Sequence, residues 1–196
     1  MRYIIVTGPR NAGKSCCLLK TAEKLKTSAS LGGVITRRVI SGYAQEHSAG
    51  QAPNRRHETD ESDNYEIVKP GGAETVPFCS RIEWNTDIPG DVFRKCHFYF
   101  SASAFAKGNE WIRAGLECDV FFIDEIGILE LAEESEYKWD FTLPLAQAGV
   151  KKQTLLFSVK EELVDEFIKK YNYGWKIFRT EAGEDISGRI LSEIKK

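Results

Sequence analysis

Residues Tyr3-Ile4-Ile5-Val6 form an apolar run, and Gly8 to Ser15 follow it with the string GPRNAGKS. That order decides the fold class. A buried strand that runs through GxxxxGK[ST] into a helix is a phosphate-binding loop. Its glycines let the backbone fold around an anion, successive N–H groups converge on the α- and β-phosphates, and the next helix points its positive end there. On this reading Gly8, Pro9, Arg10, Asn11, Ala12, Gly13, Lys14, Ser15 and Cys16 form the nucleotide-binding stretch. Lys14 is expected to reach the β- and γ-phosphates, and Ser15 to offer its hydroxyl to Mg²⁺. A helix is predicted through Leu25, with Cys17, Leu18, Thr21, Ala22 and Leu25 on its apolar face.

A phosphate-binding loop does not say whether the γ-phosphate is hydrolysed, transferred or sensed. The decisive segment lies at Val120-Phe121-Phe122-Ile123, continuously apolar as in a parallel strand covered on both faces, and it ends in Asp124-Glu125. This is a Walker B pattern. Asp124 is expected to hold the Mg²⁺ shell through water, and Glu125 to orient or deprotonate an attacking water. The sequence carries no clear arginine-rich lid of the kind that kinases of small substrates use.

The chain has 196 residues, within the range of one compact domain, and its net charge of −2 comes from 27 basic and 29 acidic residues. That balance gives no electrostatic case for general binding to nucleic acid or a membrane surface, so either partner would need a local patch. Five cysteines, Cys16, Cys17, Cys79, Cys96 and Cys118, show no CxxC spacing and read as buried free thiols in a reducing cytoplasm. The sequence enters its first core strand at once, and no apolar run approaches membrane-spanning length. A soluble cytoplasmic protein is the expectation.

Strands and helices then alternate. Gly32-Gly33 reads as a turn into a strand through Val34-Ile35-Thr36 that extends toward Ile40. From Ser41 to Asn64 the composition is polar, with His47, Arg55, Arg56 and His57 followed by acidic residues, and is expected to be a flexible insertion. Residues 65–79 read as an appended β-hairpin about Pro70-Gly71-Gly72. A strand at His97–Phe100 and a helix from Ala104 to Gly115 precede Val120, which puts an extra strand between the two motif strands. A helix is expected over Trp139–Ala148 despite Pro144, a strand over Thr154–Val159, a helix over Glu161–Tyr171, a strand over Trp175–Phe178 and a helix within Asp185–Lys196. The alternation predicts an α/β fold with a mostly parallel sheet sandwiched by helices.

The loop GPRNAGKS, the segment Gly33-Val34-Ile35-Thr36, the region His97 to Gly115 and above all Phe122-Ile123-Asp124-Glu125-Ile126-Gly127-Ile128-Leu129-Glu130-Leu131 resemble one family. It is that of the small nucleoside triphosphatases first described from thermophiles and also called cancer-related NTPases. The resemblance implies a RecA-like P-loop NTPase fold and slow, Mg²⁺-dependent hydrolysis of several nucleoside triphosphates, ATP or GTP among them. Where that family usually carries an Asn-Arg pair after a threonine, this chain reads Thr180-Glu181-Ala182-Gly183-Glu184-Asp185. In the DEIG extension Gly127 is expected to permit a sharp turn, and Glu130 to begin a helix.

Hydrolysis develops negative charge on the phosphoryl oxygens, which a correctly placed cation stabilises. Lys160, after the Thr154–Val159 strand, is the leading catalytic candidate beside Lys14 and Glu125. Arg37 and Arg10 are the others. Two different readings of the same motifs stay open, a nucleotide-dependent switch whose hydrolysis a partner stimulates, and a small-molecule kinase. Base preference and oligomeric state are not encoded in these motifs.

Overall fold

The computed structural model describes residues 2–39, 64–81, 91–132, 136–147 and 152–196. The expected insertion, with His47, Arg55, Arg56 and His57, lies outside these residues save for Asn64.

Nine strands form one sheet among the described residues. Five of them are parallel: β1 (Arg2–Thr7), β2 (Leu31–Val39), β7 (Val120–Ile126), β8 (Thr154–Val159) and β9 (Lys176–Arg179). Four more, β3 (Asn64–Val68), β4 (Thr75–Ser80), β5 (Val92–Lys95) and β6 (Phe98–Ser101), continue it as an antiparallel wing beyond β2. The order is β5-β6-β4-β3-β2-β7-β8-β1-β9.

This order corrects the expected strand placement. The strand at His97–Phe100 does not lie between the two motif strands; it belongs to the far wing, and β8 fills that place instead, pairing with β1 on one side and β7 on the other. All six residues of β8 are buried, which is the requirement for a strand hemmed in by two neighbours and two layers of helices. The hairpin at 65–79 pairs through β3 with β2 and so is joined to the main sheet. Strand β5 carries only four residues, of which Phe93 alone is partly buried, too weak an alternation to read in advance.

Gly32 and Gly33 also lie elsewhere than expected. They sit inside β2, and Gly33 has φ +98 with the place of a Cβ only 1.8 Å from the Phe122 carbonyl oxygen. Glycine there lets two strand backbones approach where a side chain would wedge them apart.

Helices cover both faces. Helix α1 (Lys14–Leu25) and helix α6 (Ser187–Ile194) pack Cys17, Leu18, Ala22, Leu25 and Ile190 on Ile4, Val6, Ile35, Phe122 and Leu156. The buried face of α1 is the one that its periodicity predicts, Cys17, Leu18, Thr21, Ala22 and Leu25. The opposite face takes helix α2 (Ala102–Ala114), helix α4 (Thr142–Gln147) and helix α5 (Val164–Lys170) in an aromatic core that includes Phe105, Trp111, Phe121, Trp139, Phe141, Phe157 and Phe167. Each large apolar side chain so removed from water contributes about 1.5–3 kcal/mol. Pro144 falls in the first turn of α4, where a missing N–H costs no helical bond, and Trp139 precedes the helix as a core residue. A short 3₁₀ turn, Glu161–Leu163, leads into α5, so the expected Glu161–Tyr171 helix begins more tightly wound than an α-helix.

The thiols divide. Cys17 and Cys79 are buried as expected, whereas Cys16 and Cys96 are exposed and Cys118 is half-buried; all five are free. No helix among the described residues is long and apolar enough to cross a membrane.

Candidate active site

Strand β1 delivers the chain at Thr7 into the glycine loop, and α1 leaves it at Lys14 with Gly13 as its N-cap. No acidic residue occupies the first turn of α1, so its N-terminal charge is not cancelled locally. Gly8 has φ +147, and a Cβ there would stand 2.2 Å from the Thr180 carbonyl oxygen. Thr180, which follows β9, thus packs against the loop. Its N–H donates to the Thr7 carbonyl at 2.9 Å, and its hydroxyl donates to the Ala12 carbonyl at 3.3 Å. Thr180, the first residue of the Thr180–Asp185 stretch, is therefore a wall of the phosphate loop. Asn11 takes φ +62, Ala12 is buried, and Pro9, Arg10 and Cys16 are exposed along the rim. The Lys14 ammonium lies over the loop, donating to the carbonyls of Gly8 and Pro9 at 3.0 Å each.

Ser15 and Asp124, distant in sequence, meet through Thr36. The hydroxyls of Ser15 and Thr36 are 3.4 Å apart, and Thr36 donates to Asp124 Oδ2 from its hydroxyl at 2.5 Å and from its N–H at 3.0 Å. The other carboxylate oxygen accepts from the Glu125 N–H at 3.0 Å and from the Ser158 hydroxyl. Asp124 is fully buried, and these donors compensate its charge.

Glu125 interrupts β7. The pairing of β7 with β8 shifts register between Ile123 and Ile126, and Glu125 has φ +61, a left-handed backbone uncommon for a residue with a side chain. Its N–H also donates to Ser158 Oγ at 2.9 Å, so β8 braces the bulge. The sharp conformation expected at Gly127 is at Glu125 instead, while Gly127 itself is extended, with φ −129 and ψ −160. Burial first, and then the neighbouring Asp124 charge, push the Glu125 carboxyl up to about 7, while Lys14, Lys160 and Arg10 oppose the rise. Three of the four candidate cations therefore act on one carboxylate.

The fourth does not. Arg37 turns along the wing and donates from Nε to Glu66 Oε1 at 2.6 Å. Glu130, in the four-residue helix α3 (Ile128–Leu131), is buried, and burial raises its carboxyl to about 7 as well. The sequence assigns no role to Thr36, Ser158 or Thr180, because a hydroxyl in or after an apolar strand carries no local signature; only the sheet order shows that these positions converge. Strand ends that meet at one edge of a parallel sheet are where α/β proteins bind ligands.

The donor set suits a hard cation. Ser15, Thr36 and Asp124 present oxygens alone, and no cluster of three or more His, Cys, Asp or Glu residues able to hold a metal occurs among the described residues. A hard cation of that kind takes one or two carboxylates and leaves its other positions to water and phosphate.

No protein-family model matches the sequence, and no curated protein matches it. Two solved structures do match in fold. One is the solution structure of a human cancer-related nucleoside triphosphatase, 19% identical, with a TM-score of 0.64 over 100% of this chain and 98% of that one. The other is the crystal structure of THEP1 from the hyperthermophile Aquifex aeolicus, also 19% identical, with a TM-score of 0.59 over 99% of both chains. This chain has their fold. It is an α/β P-loop fold, as the sequence implied.

Proposed function

We propose that the protein is a Mg²⁺-dependent nucleoside triphosphatase that transfers the γ-phosphoryl group of ATP- or GTP-type nucleotides to water. The observation that carries this reading is the hydrogen-bonded line from Ser15 through Thr36 to Asp124, ending one residue from a half-buried Glu125 that faces the charges of Lys14, Lys160 and Arg10. The fold neighbour named a cancer-related nucleoside triphosphatase supports it.

In this reading the backbone N–H groups of residues 8–15 cradle the phosphates, and Lys14 leaves its carbonyl partners for the β- and γ-phosphate oxygens. Bound Mg²⁺ would be held by Ser15 and, through water, by Asp124, and would neutralise charge on the phosphate oxygens. Thr36 and Ser158 hold the two oxygens of the Asp124 carboxylate by hydrogen bonds. Glu125, ionised above its raised pKa, accepts a proton from the attacking water. Lys160 and Arg10 supply positive charge where the phosphoryl oxygens gain negative charge.

The test is phosphate release from ATP, GTP, CTP and UTP with and without Mg²⁺, beside the Glu125→Gln and Lys14→Ala variants. The reading expects metal-dependent release, retained nucleotide binding with turnover reduced by about 10²–10⁴ for Glu125→Gln, and lost binding for Lys14→Ala. Parental turnover in Glu125→Gln removes Glu125 from its role, and phosphate passed to a co-substrate rather than water makes the protein a kinase.

A further inference from the structure

Thr180 has no part in the chemistry above, yet it is fully buried and hydrogen-bonded to the phosphate loop at both of its ends. Its N–H donates to the Thr7 carbonyl, just before Gly8, at 2.9 Å, and its hydroxyl donates to the Ala12 carbonyl, just before Gly13, at 3.3 Å. Gly8, Asn11 and Gly13 all have positive φ, so the loop lacks the ladder of bonds that holds a strand or a helix in shape. Lys14 ties the Gly8 and Pro9 carbonyls as well, but in the hydrolase reading it leaves them for the phosphates. The bonds from Thr180 are those that need not break when the ligand arrives.

A threonine hydroxyl carries one proton, and three carbonyls lie within reach of this one, those of Ala12 and Glu184 at 3.3 Å and that of Glu181 at 3.4 Å. Two of the three have other donors. The Glu184 N–H bonds the Glu181 carbonyl at 3.0 Å, and the Cys17 thiol donates to the Glu184 carbonyl at 3.8 Å. Among the described residues the Ala12 carbonyl has no other donor, and Ala12 is buried, so leaving that oxygen unpaired would be costly. The proton therefore goes to Ala12. In a planar trans peptide the C=O and the next N–H point opposite ways, so an Ala12 carbonyl fixed on Thr180 turns the Gly13 N–H to the side away from it. That N–H belongs to the set that is to cradle the phosphates.

We propose that Thr180 is a positioning residue for phosphate binding: it ties both ends of the loop to the end of β9, and its hydroxyl, through the Ala12 carbonyl, keeps the Gly13 N–H presented to the anion. A cradle held in its binding shape before the ligand arrives loses less freedom on binding and so binds more tightly. This inference rests on the reading that residues 8–15 bind a triphosphate. A merely structural Thr180 would join β9 to β1 and leave anion affinity untouched.

Thr180→Val separates the two, since valine keeps the volume and the backbone N–H but removes the hydroxyl. Calorimetric titration of the intact chain with ADP and with inorganic tripolyphosphate, both in Mg²⁺, is the measurement. The proposal expects both dissociation constants to rise together by about 5–50-fold, the worth of one buried hydrogen bond in a preorganised site. Thr180→Ser, which keeps the hydroxyl, should stay within about threefold of the parent. Tripolyphosphate has neither base nor ribose, so a loss confined to ADP places Thr180 at the nucleoside and overturns the proposal. A Thr180→Val protein that binds both ligands within about twofold of the parent overturns it too, as does a Thr180→Ser protein no better than Thr180→Val. If Thr180→Val does not fold, Thr180→Cys, whose thiol is a weaker donor, should bind tripolyphosphate less tightly than Thr180→Ser, and equal affinities overturn the proposal. A parent that binds neither ADP nor tripolyphosphate brings down the phosphate-loop reading itself, and this inference with it.

Discussion

Thr36 and Asp124 are joined twice, the N–H and the hydroxyl of the threonine both donating to the same carboxylate oxygen at 3.0 and 2.5 Å. The same hydroxyl stands 3.4 Å from that of Ser15, so one side chain on β2 spans the two residues proposed for the metal. Thr36→Val keeps the volume and removes the hydroxyl. Half-maximal phosphate release should then need about 10–100-fold more Mg²⁺, the usual cost of losing an outer-shell partner, with nucleotide binding in the absence of metal unchanged. A titration of activity against Mg²⁺ reads this directly.

Lys160 offers a second prediction. Lys160→Met should lower kcat by about 10²-fold or more, and Lys160→Arg should recover part of it, since the role proposed for it is one of charge near the phosphoryl oxygens. Arg37→Met should leave kcat near the parental value, because Arg37 is engaged with Glu66 on the neighbouring strand. Steady-state kinetics of the three variants distinguish these cases.

The carboxyl of Glu125 is raised to about 7, mainly by burial. Its ionised form is the one that accepts a proton, so kcat/KM should fall as pH drops through about 7, with a slope of one below that point. In the Glu125→Gln variant the acid limb should vanish along with most of the rate. A pH–rate profile between 5 and 9 checks both.

Glu130 bears on stability with the opposite sign. Its folded pKa of about 7 lies above the unfolded value, so the fold binds its proton more tightly than the unfolded chain does. That contribution is complete below the unfolded pKa near 4.5 and is lost as pH rises through about 7. Replacing the carboxylate by a neutral amide should therefore stabilise the protein at pH 8, by up to about 3 kcal/mol, and make little difference near pH 4.5. Denaturant titrations of Glu130→Gln at the two pH values measure it.

A fifth prediction concerns the sheet. Gly33→Ala would place a methyl group 1.8 Å from the Phe122 carbonyl oxygen in a backbone region that side chains avoid, so β2 and β7 must separate. Loss of cooperative thermal unfolding, or a fall in melting temperature of at least about 10 °C, is the expected result.

What the sequence made legible was local. Lys14 and Ser15, the buried face of α1, and the run Val120–Ile123 with its two carboxylates each announce themselves by spacing within a dozen residues. The convergence of Ser15 on Asp124 follows once both strands are placed in one parallel sheet. Ser158 and Thr36 were out of reach, because their value lies in which strands become neighbours, and no periodicity says that β8 separates β1 from β7. Gly33 misled for a related reason: two adjacent glycines suggest a turn, but between packed strands they mark a close crossing of backbones. Glu125 carries its unusual φ without glycine because bonds from its N–H to Asp124 and Ser158 hold it there, and both depend on tertiary structure.

The insertion of Thr154–Val159 between Arg2–Thr7 and Val120–Ile126 also sets an order of events in synthesis. A growing polypeptide that has emerged only as far as residue 126 already contains the glycine loop and both acidic groups, but the two strands bearing them have no partner to join them. Until the later segment threads between them, their apolar edges remain open to chaperones or to one another, and contacts spanning more than 150 residues must form last. A ribosome-bound fragment ending before Thr154 should accordingly fail to retain nucleotide, even though every residue of the phosphate loop is present.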